Sequence, residues 1–217
     1  MPLPDEEYPQ TDYNNPYLSA AHHPTIPPSF PMRAFIAIEL PAPVRTYLQE
    51  LGRELAQHTP PGAVRWLGRE GIHLTLAFLG DEVTAEQIPP LREAMNKATA
   101  SAVPFQLHLG KLGCFPKPIA PRVIWVGVQG AVAPLQQLKT GLDRVLAPLG
   151  FLPERRAFNP HLTLGRVKDF EAMRQAFLPY GQQVREIQFE VTAVHLFHST
   201  LTPTGAEYTL LHTSPLG

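Results

Sequence analysis

The tetrapeptide HLTL occurs twice, at 73–76 and at 161–164, 88 positions apart. Side chains alternate between faces in an extended segment, so His73 and Thr75 project from one side while Ile72, Leu74 and Leu76 project from the other. The second copy divides alike, with His161 and Thr163 opposite Leu162 and Leu164. Each segment therefore anchors itself with leucines and presents an imidazole and a hydroxyl. Displacement at phosphorus by water needs a base for the attacking proton and an acid for the departing oxygen. Histidine, with an ordinary pKa near ~6.5, holds either role near neutrality. Threonine hydroxyls and nearby arginines suit the non-bridging oxygens, where they stabilise charge. No carboxylate sits at ligand spacing in either copy, and the scheme requires neither metal nor cofactor.

Other residues have weaker claims. Phe115 lies in a Gly/Pro-rich stretch, GCFPKPIAP, ahead of Arg122; Phe35 shares a strand face with Arg33. Either ring could stack on a base, as aromatics do in single-strand RNA recognition, or pack in a core. Packing is favoured for Phe35 and evenly balanced for Phe115. Among Arg65, Arg122, Arg155 and Arg156, only Arg122 is carried forward as a substrate contact. Trp66 and Trp125 read as packing residues and Cys114 as an inert thiol. His195 and His198 fall on opposite faces of an apparent strand, which argues against a shared zinc site.

The elements that must position the two copies alternate from Met32 onward. A strand is expected over 33–40, with Ala34, Ile36, Ile38 and Leu40 on one face. Helical spacing of Val44, Tyr47, Leu48, Leu51 and Leu55 gives a helix over about 43–58. The first HLTL strand follows at 72–79. A helix over about 84–100 opens on Thr84 and Gln87, a capping-box pattern. Strands at about 104–112 and 122–129 flank the GCFPKPIAP loop. A helix at about 132–148 ends at Gly150, and the second HLTL strand covers about 160–167, where Pro160 holds Asn159 extended. A helix over 169–179 buries Met173 and Phe177, and strands near 185–198 and 206–212 close the chain. In both halves an HLTL strand runs into a turn containing Asp (Asp81, Asp169) and then a helix. This weak repeat predicts an α+β fold of two pseudo-symmetric lobes, each a small, mostly antiparallel sheet with helices packed outside. The four polar side chains would meet in the cleft between them.

Bulk properties bound the partners. A net charge of −1 and a pI near 6.8 give no general pull toward nucleic acid, so an RNA contact would be a local basic cleft. The single cysteine excludes an intramolecular disulfide and fits a cytoplasmic protein. No apolar run reaches transmembrane length, so no membrane is expected. Residues 1–31 hold eight of the 25 prolines and show no apolar periodicity, which predicts a disordered or loosely ordered extension ahead of a single domain over 32–217. Met32 opens a register, MRAFIAIEL, that reads as a native start in its own right.

The paired H-x-T-x segments resemble those of the two-histidine phosphoesterase superfamily, and more narrowly the RNA 2′,3′-cyclic phosphodiesterase family, also described as 2′–5′ RNA ligases. The resemblance extends from MRAFIAIEL through VRWLGREGIHLTLAFLG, PRVIWVGV and FNPHLTLGRV to HLFHSTLTPTGAEYTLL. It implies hydrolysis of a 2′,3′-cyclic phosphate at an RNA end to a 2′-phosphomonoester without metal or nucleotide cofactor, with ligation as the reverse. It makes His73 the proton donor and His161 the acceptor, an order the two nearly equivalent motifs do not themselves fix. Thr75 and Thr163 carry over as phosphate ligands, and Arg166 as a phosphate or nucleotide contact. On a regular strand Arg166 would face away from His161, and Gly165 permits the bulge that would redirect it. The expected partner is an RNA with a cyclic phosphate end or a small cyclic nucleotide, bound by a monomer.

Three other readings compete. A non-catalytic RNA-end binding module would not need two proton-transfer groups. A metal-dependent hydrolase lacks carboxylates beside the histidines. A two-histidine enzyme for another small cyclic nucleotide stays open, because the motifs specify the reacting group and not the rest of the substrate.

Overall fold

The computed structural model describes residues 31–174, 176, 178–203 and 205–217. The extension expected over 1–31 and the side chain of Phe177 lie outside the described residues, apart from Pro31. In chain order the elements are β1 (Met32–Ile38), α1 (Ala42–Ala56), β2 (Val64–Trp66), β3 (Leu74–Val83), α2 (Ile88–Thr99), β4 (Phe105–Lys117) and β5 (Ala120–Gly130). They continue with α3 (Val132–Leu146), β6 (His161–Val167), α4 (Phe170–Met173), β7 (Gln188–Val191), β8 (Ala193–Thr202) and β9 (Gly205–Pro215).

Every described strand pairing is antiparallel, in the order β7-β4-β5-β6-β3-β1-β8-β9, with β2 added to β6. The order is two half-sheets laid end to end. Reading outward from the centre, one runs β3-β1-β8-β9 and the other β6-β5-β4-β7. They meet at a single registered pair, Leu74 with Leu162, the equivalent leucines of the two HLTL segments. Beyond that pair β2 takes over the edge of β6, so the half-sheets part and leave a cleft. The two-lobe α+β expectation holds.

The pairing follows from burial. Leu74 and Leu162 are completely buried, and Ile72, Leu76 and Leu164 nearly so. Burying one such side chain stabilises by roughly 1.5–3 kcal/mol, and a one-residue slip would turn all of them to the cleft. The helices cross between halves. Helix α1 packs on β2 and β6 of the opposite half, and α3 lies against α2 and β3, so the lobes are not separable units.

Several boundaries differ from expectation. The GCFPKPIAP stretch is not an open loop: β4 runs to Lys117 and β5 starts at Ala120, a hairpin that places Phe115 inside a strand. The strand expected over 185–198 is two, β7 and β8, and β9 extends over Gly205–Pro215. The helix expected over 169–179 is the short α4, capped by Asp169 accepting from the Ala172 N–H at 2.9 Å. The third helix ends at Leu146 and runs into a 3₁₀ turn over Ala147–Leu149, which Gly150 closes at φ 92°. The three-residue β2 was not anticipated, being too short to show a period.

Candidate active site

Antiparallel continuation of the Leu74–Leu162 pair sets His73 opposite Thr163 and Thr75 opposite His161. All four side chains are half-buried or exposed while the flanking leucines are buried, so they share the cleft face. His73, Thr75, Thr163 and Arg166 line one cavity of about 320 Å³, together with Arg65, Gly68 and Tyr208.

Arg166 reaches that cavity through a bulge. On β5, Trp125 pairs with Thr163 and the adjacent Ile124 with Gly165, leaving Leu164 as an extra residue on β6. The insertion resets the alternation, and Arg166 returns to the face of Thr163. Gly165 is required by close approach: a Cβ there would lie 2.8 Å from Val64 Cγ1 and 3.0 Å from Trp66 Cε3 of β2. The first motif carries the same irregularity, since Ala37 pairs with Thr75 and Ile36 with Ala77. The residue equivalent to Arg166 is then Phe78, 41% exposed, with the Arg33 guanidinium 4.4 Å from its ring centre.

Each imidazole is held by aromatic rings from its own half. His73 stacks on Phe35 of β1 at 4.7 Å and meets Tyr208 of β9 edge-on at 5.3 Å. His161 meets Phe115 of β4 edge-on at 4.9 Å and lies 6.1 Å from Trp125 of β5. Trp125 has room to lie across β4 only because its partner there is Gly113, where any Cβ would strike the indole. Phe35 is 5% exposed, a packing residue that orients His73, and Phe115 forms the wall beside His161.

The two histidines differ in hydrogen bonding. His161 Nδ1 lies 2.7 Å from the Asn159 carbonyl, which can only accept, so the neutral ring carries its proton on Nδ1 and leaves Nε2 unprotonated. Among the described residues neither ring nitrogen of His73 has a hydrogen-bond partner. Burial, and secondarily the Arg166 charge, pushes the His73 pKa down to about 4. His161 is also lowered, mainly by burial, against the raising effect of its bond to Asn159. Tyr208 is raised by burial, although Arg166, Arg33 and Arg65 all pull it down. Three guanidiniums therefore act on one spot beside His73, the local basic cleft that a chain of net charge −1 would need.

Arg122 is not brought there. It is exposed, is the extra residue opposite the Phe115–Pro116 step, and lines neither cavity beside His73. Tyr208 was missed from sequence, and Arg65 was weighed there but not carried forward. Tyr208 lies in a strand whose partner had to be known before its face could be assigned, and Arg65 lies in the unanticipated β2. His195 bonds Thr213 on β9 while His212 reaches Asn96 on α2. Among the described residues no group of three or more His, Cys, Asp or Glu side chains could hold a metal ion. A cavity of about 640 Å³ between α2 and α3 contains none of the motif residues. No helix among the described residues is long and apolar enough to cross a membrane.

A model of the 2′-5′ RNA ligase superfamily matches residues 40–202, which span both motifs and the strands from β2 to β8. The chain belongs to that family. Members similar to it include the RNA 2′,3′-cyclic phosphodiesterase of Aeropyrum pernix, 34% identical over 66% of this chain and 81% of that protein. The Thermotoga maritima protein of the same description is 32% identical over 83% and 94%. Among solved structures similar to it, Escherichia coli LigT complexed with 3′-AMP superposes with a TM-score of 0.68. It is 31% identical, over 86% of this chain and 99% of that one.

Proposed function

We propose that this protein hydrolyses 2′,3′-cyclic phosphate ends of RNA to 2′-phosphomonoesters, and that with a 5′-hydroxyl attacking in place of water the same loss of O3′ forms a 2′–5′ linkage. The observation that carries the reading is the Leu74–Leu162 pair, which brings the two His/Thr sets to one seam, where His73, Thr75, Thr163 and Arg166 line one cavity and His161 stands outside its lining. His161 Nε2 removes a proton from water as its oxygen attacks phosphorus. The P–O3′ bond breaks, and His73 delivers a proton to O3′. Thr75, Thr163 and Arg166 hold the non-bridging oxygens, whose charge grows in the transition state. Release of the His161 proton to solvent and reprotonation of His73 complete the cycle, with water as the only co-reactant. No metal enters the scheme.

Two features support this order of roles. The Asn159 carbonyl fixes the tautomer a general base needs. The leaving O3′ belongs to a nucleoside, which needs space, and the cavities of about 320 and 490 Å³ both border His73. His161 is walled by Phe115 and Trp125 instead. His73 is neutral at pH 7 in the free protein, so it must take up a proton from solvent as the substrate binds. A phosphodiester anion set against Arg166 offsets the guanidinium field and raises the imidazole pKa. The partner and place proposed with it are RNA ends met by a monomer in the cytoplasm.

The test is turnover of an oligoribonucleotide ending in a 2′,3′-cyclic phosphate, with chelator present and the product identified. A 2′-phosphate is expected; a 3′-phosphate would reject the leaving group, and loss of all activity in chelator would reject the metal-free scheme. His73→Ala and His161→Ala should each slow the chemical step by roughly 10²–10⁴ with little change in binding.

A further inference from the structure

The second cavity at His73, of about 490 Å³, does no work in the phosphate chemistry. It shares Glu70, His73, Ala206, Glu207 and Tyr208 with the phosphate cavity, so the two are continuous. One side is aromatic. Phe35 stacks between His73 at 4.7 Å and Phe197 at 5.3 Å, with interplanar angles of 23° and 24°, and Tyr208 stands across Phe35 at 79°. Leu210 pairs with Phe197 and continues that side outward. The other end is charged. Arg45, only 17% exposed in its side chain, donates from Nη1 to Glu39 at 2.8 Å and to Glu70 at 3.1 Å. Both Glu70 oxygens are taken, one by Arg45 and one by Arg69. Arg45 engages only one oxygen of Glu39 and leaves the other.

We propose that this cavity is a nucleobase subsite selecting guanine at the cyclised end, with Glu39 as the residue that reads the base. The inference rests on the phosphodiesterase reading, which sets a ribose at His73 and so directs its base into the adjoining space. A flat aromatic side accepts any base by stacking; discrimination must come from the polar end. A carboxylate only accepts hydrogen bonds. Guanine alone among the four bases offers two adjacent donors, N1–H and the N2 amino group, on one edge. Adenine and cytosine offer one amino group beside a ring nitrogen whose lone pair opposes the carboxylate, and uracil offers one N–H between two carbonyls. Arg45 holds Glu39 in place, so the preference is built into the unliganded protein.

The test compares kcat/KM for 2′,3′-cyclic GMP, AMP, CMP and UMP, alongside calorimetric affinities for guanosine and uridine 2′-monophosphates. GMP should exceed UMP by about tenfold or more in both, the usual discrimination of a bidentate base contact. Glu39→Gln should bring the ratio toward one, because an amide sets a donor against one of the guanine donors. Phe197→Leu should weaken all four bases alike and leave the ratio intact. Equal values for guanine and uracil in the wild-type protein overturn the assignment without any variant. Selective guanosine binding with no turnover of any substrate would keep the subsite and remove the phosphodiesterase reading.

Discussion

The depressed His73 pKa has a consequence for folding that needs no substrate. The imidazole titrates near its ordinary 6.5 in the unfolded chain and at about 4 in the native one. Between those values the unfolded chain binds the extra proton, so stability is fully present above pH 6.5 and is lost as pH falls toward 4. Integrating that linkage, relative to pH 7.5, gives a loss of about 2 kcal/mol at pH 5 and about 3 kcal/mol at pH 4 from this one group. The assay is urea unfolding at pH 7.5 and pH 5 for the wild-type protein and for His73→Asn. His161, His195 and His212 are also held low by burial, and their contributions are common to both proteins and cancel in the comparison. The wild-type protein should lose about 2 kcal/mol more than the variant over this interval, seen as a larger fall in urea midpoint at unchanged slope. Equal losses would mean that His73 titrates normally in the folded state, and the account of a buried imidazole facing Arg166 would fail. Arg166→Met should recover only the smaller part, since burial is the larger cause.

Other expectations follow from the same geometry. Arg166→Met should lower kcat/KM on a cyclic phosphate end on the order of 10²–10³, because it removes a charged donor from the phosphate oxygens; rates within a few-fold of normal would free Arg166 from that role. Adding a 2′-nucleotide should raise the His73 pKa, followed by its imidazole proton shifts in NMR, and an unmoved titration would refute the idea that substrate binding drives proton uptake. Gly165→Ala should destabilise by about 1–3 kcal/mol in chemical denaturation, since the new methyl meets Val64 and Trp66. Leu74→Ala and Leu162→Ala should each cost about 2–5 kcal/mol in the same assay, the range for emptying a fully buried site.

Much of the site was readable from alternation alone. The leucines of HLTL had to be buried and the His/Thr sets had to face together, because a strand offers no other arrangement. The redirection of Arg166 was legible as a condition: Gly165 permitted a bulge, but the bulge depends on how Trp125 and Ile124 register against β6, which only tertiary pairing decides. The placement of Tyr208 and Arg65 was hidden for related reasons. A strand pattern gives two faces without saying which one meets the cleft, and three residues of β2 are too few to give a pattern. Arg122 was carried forward because it follows GCFPKPIAP, a stretch that reads from sequence as a Gly/Pro loop. Its prolines instead lie in a paired hairpin that holds Phe115 inward while Arg122 stays outside the cavities.

The near-identity of the two motifs made acid and base interchangeable on sequence grounds, and the fold separates them through their neighbours. Both strands bulge after the threonine, yet one bulge delivers Arg166 and the other Phe78. A single guanidinium therefore sits beside both imidazoles, and their difference comes from what else they touch. His161 follows the rigid Asn159–Pro160 step, whose carbonyl takes the Nδ1 proton and fixes one tautomer. His73 follows a short 3₁₀ turn over Arg69–Gly71 that offers its ring no acceptor, and aromatic packing alone sets its orientation. An imidazole locked as a neutral acceptor suits the water side. One held neutral by burial and the Arg166 charge, but firmly in place beside the roomier cavities, suits the side where an arriving anion raises its pKa and a nucleoside oxygen departs.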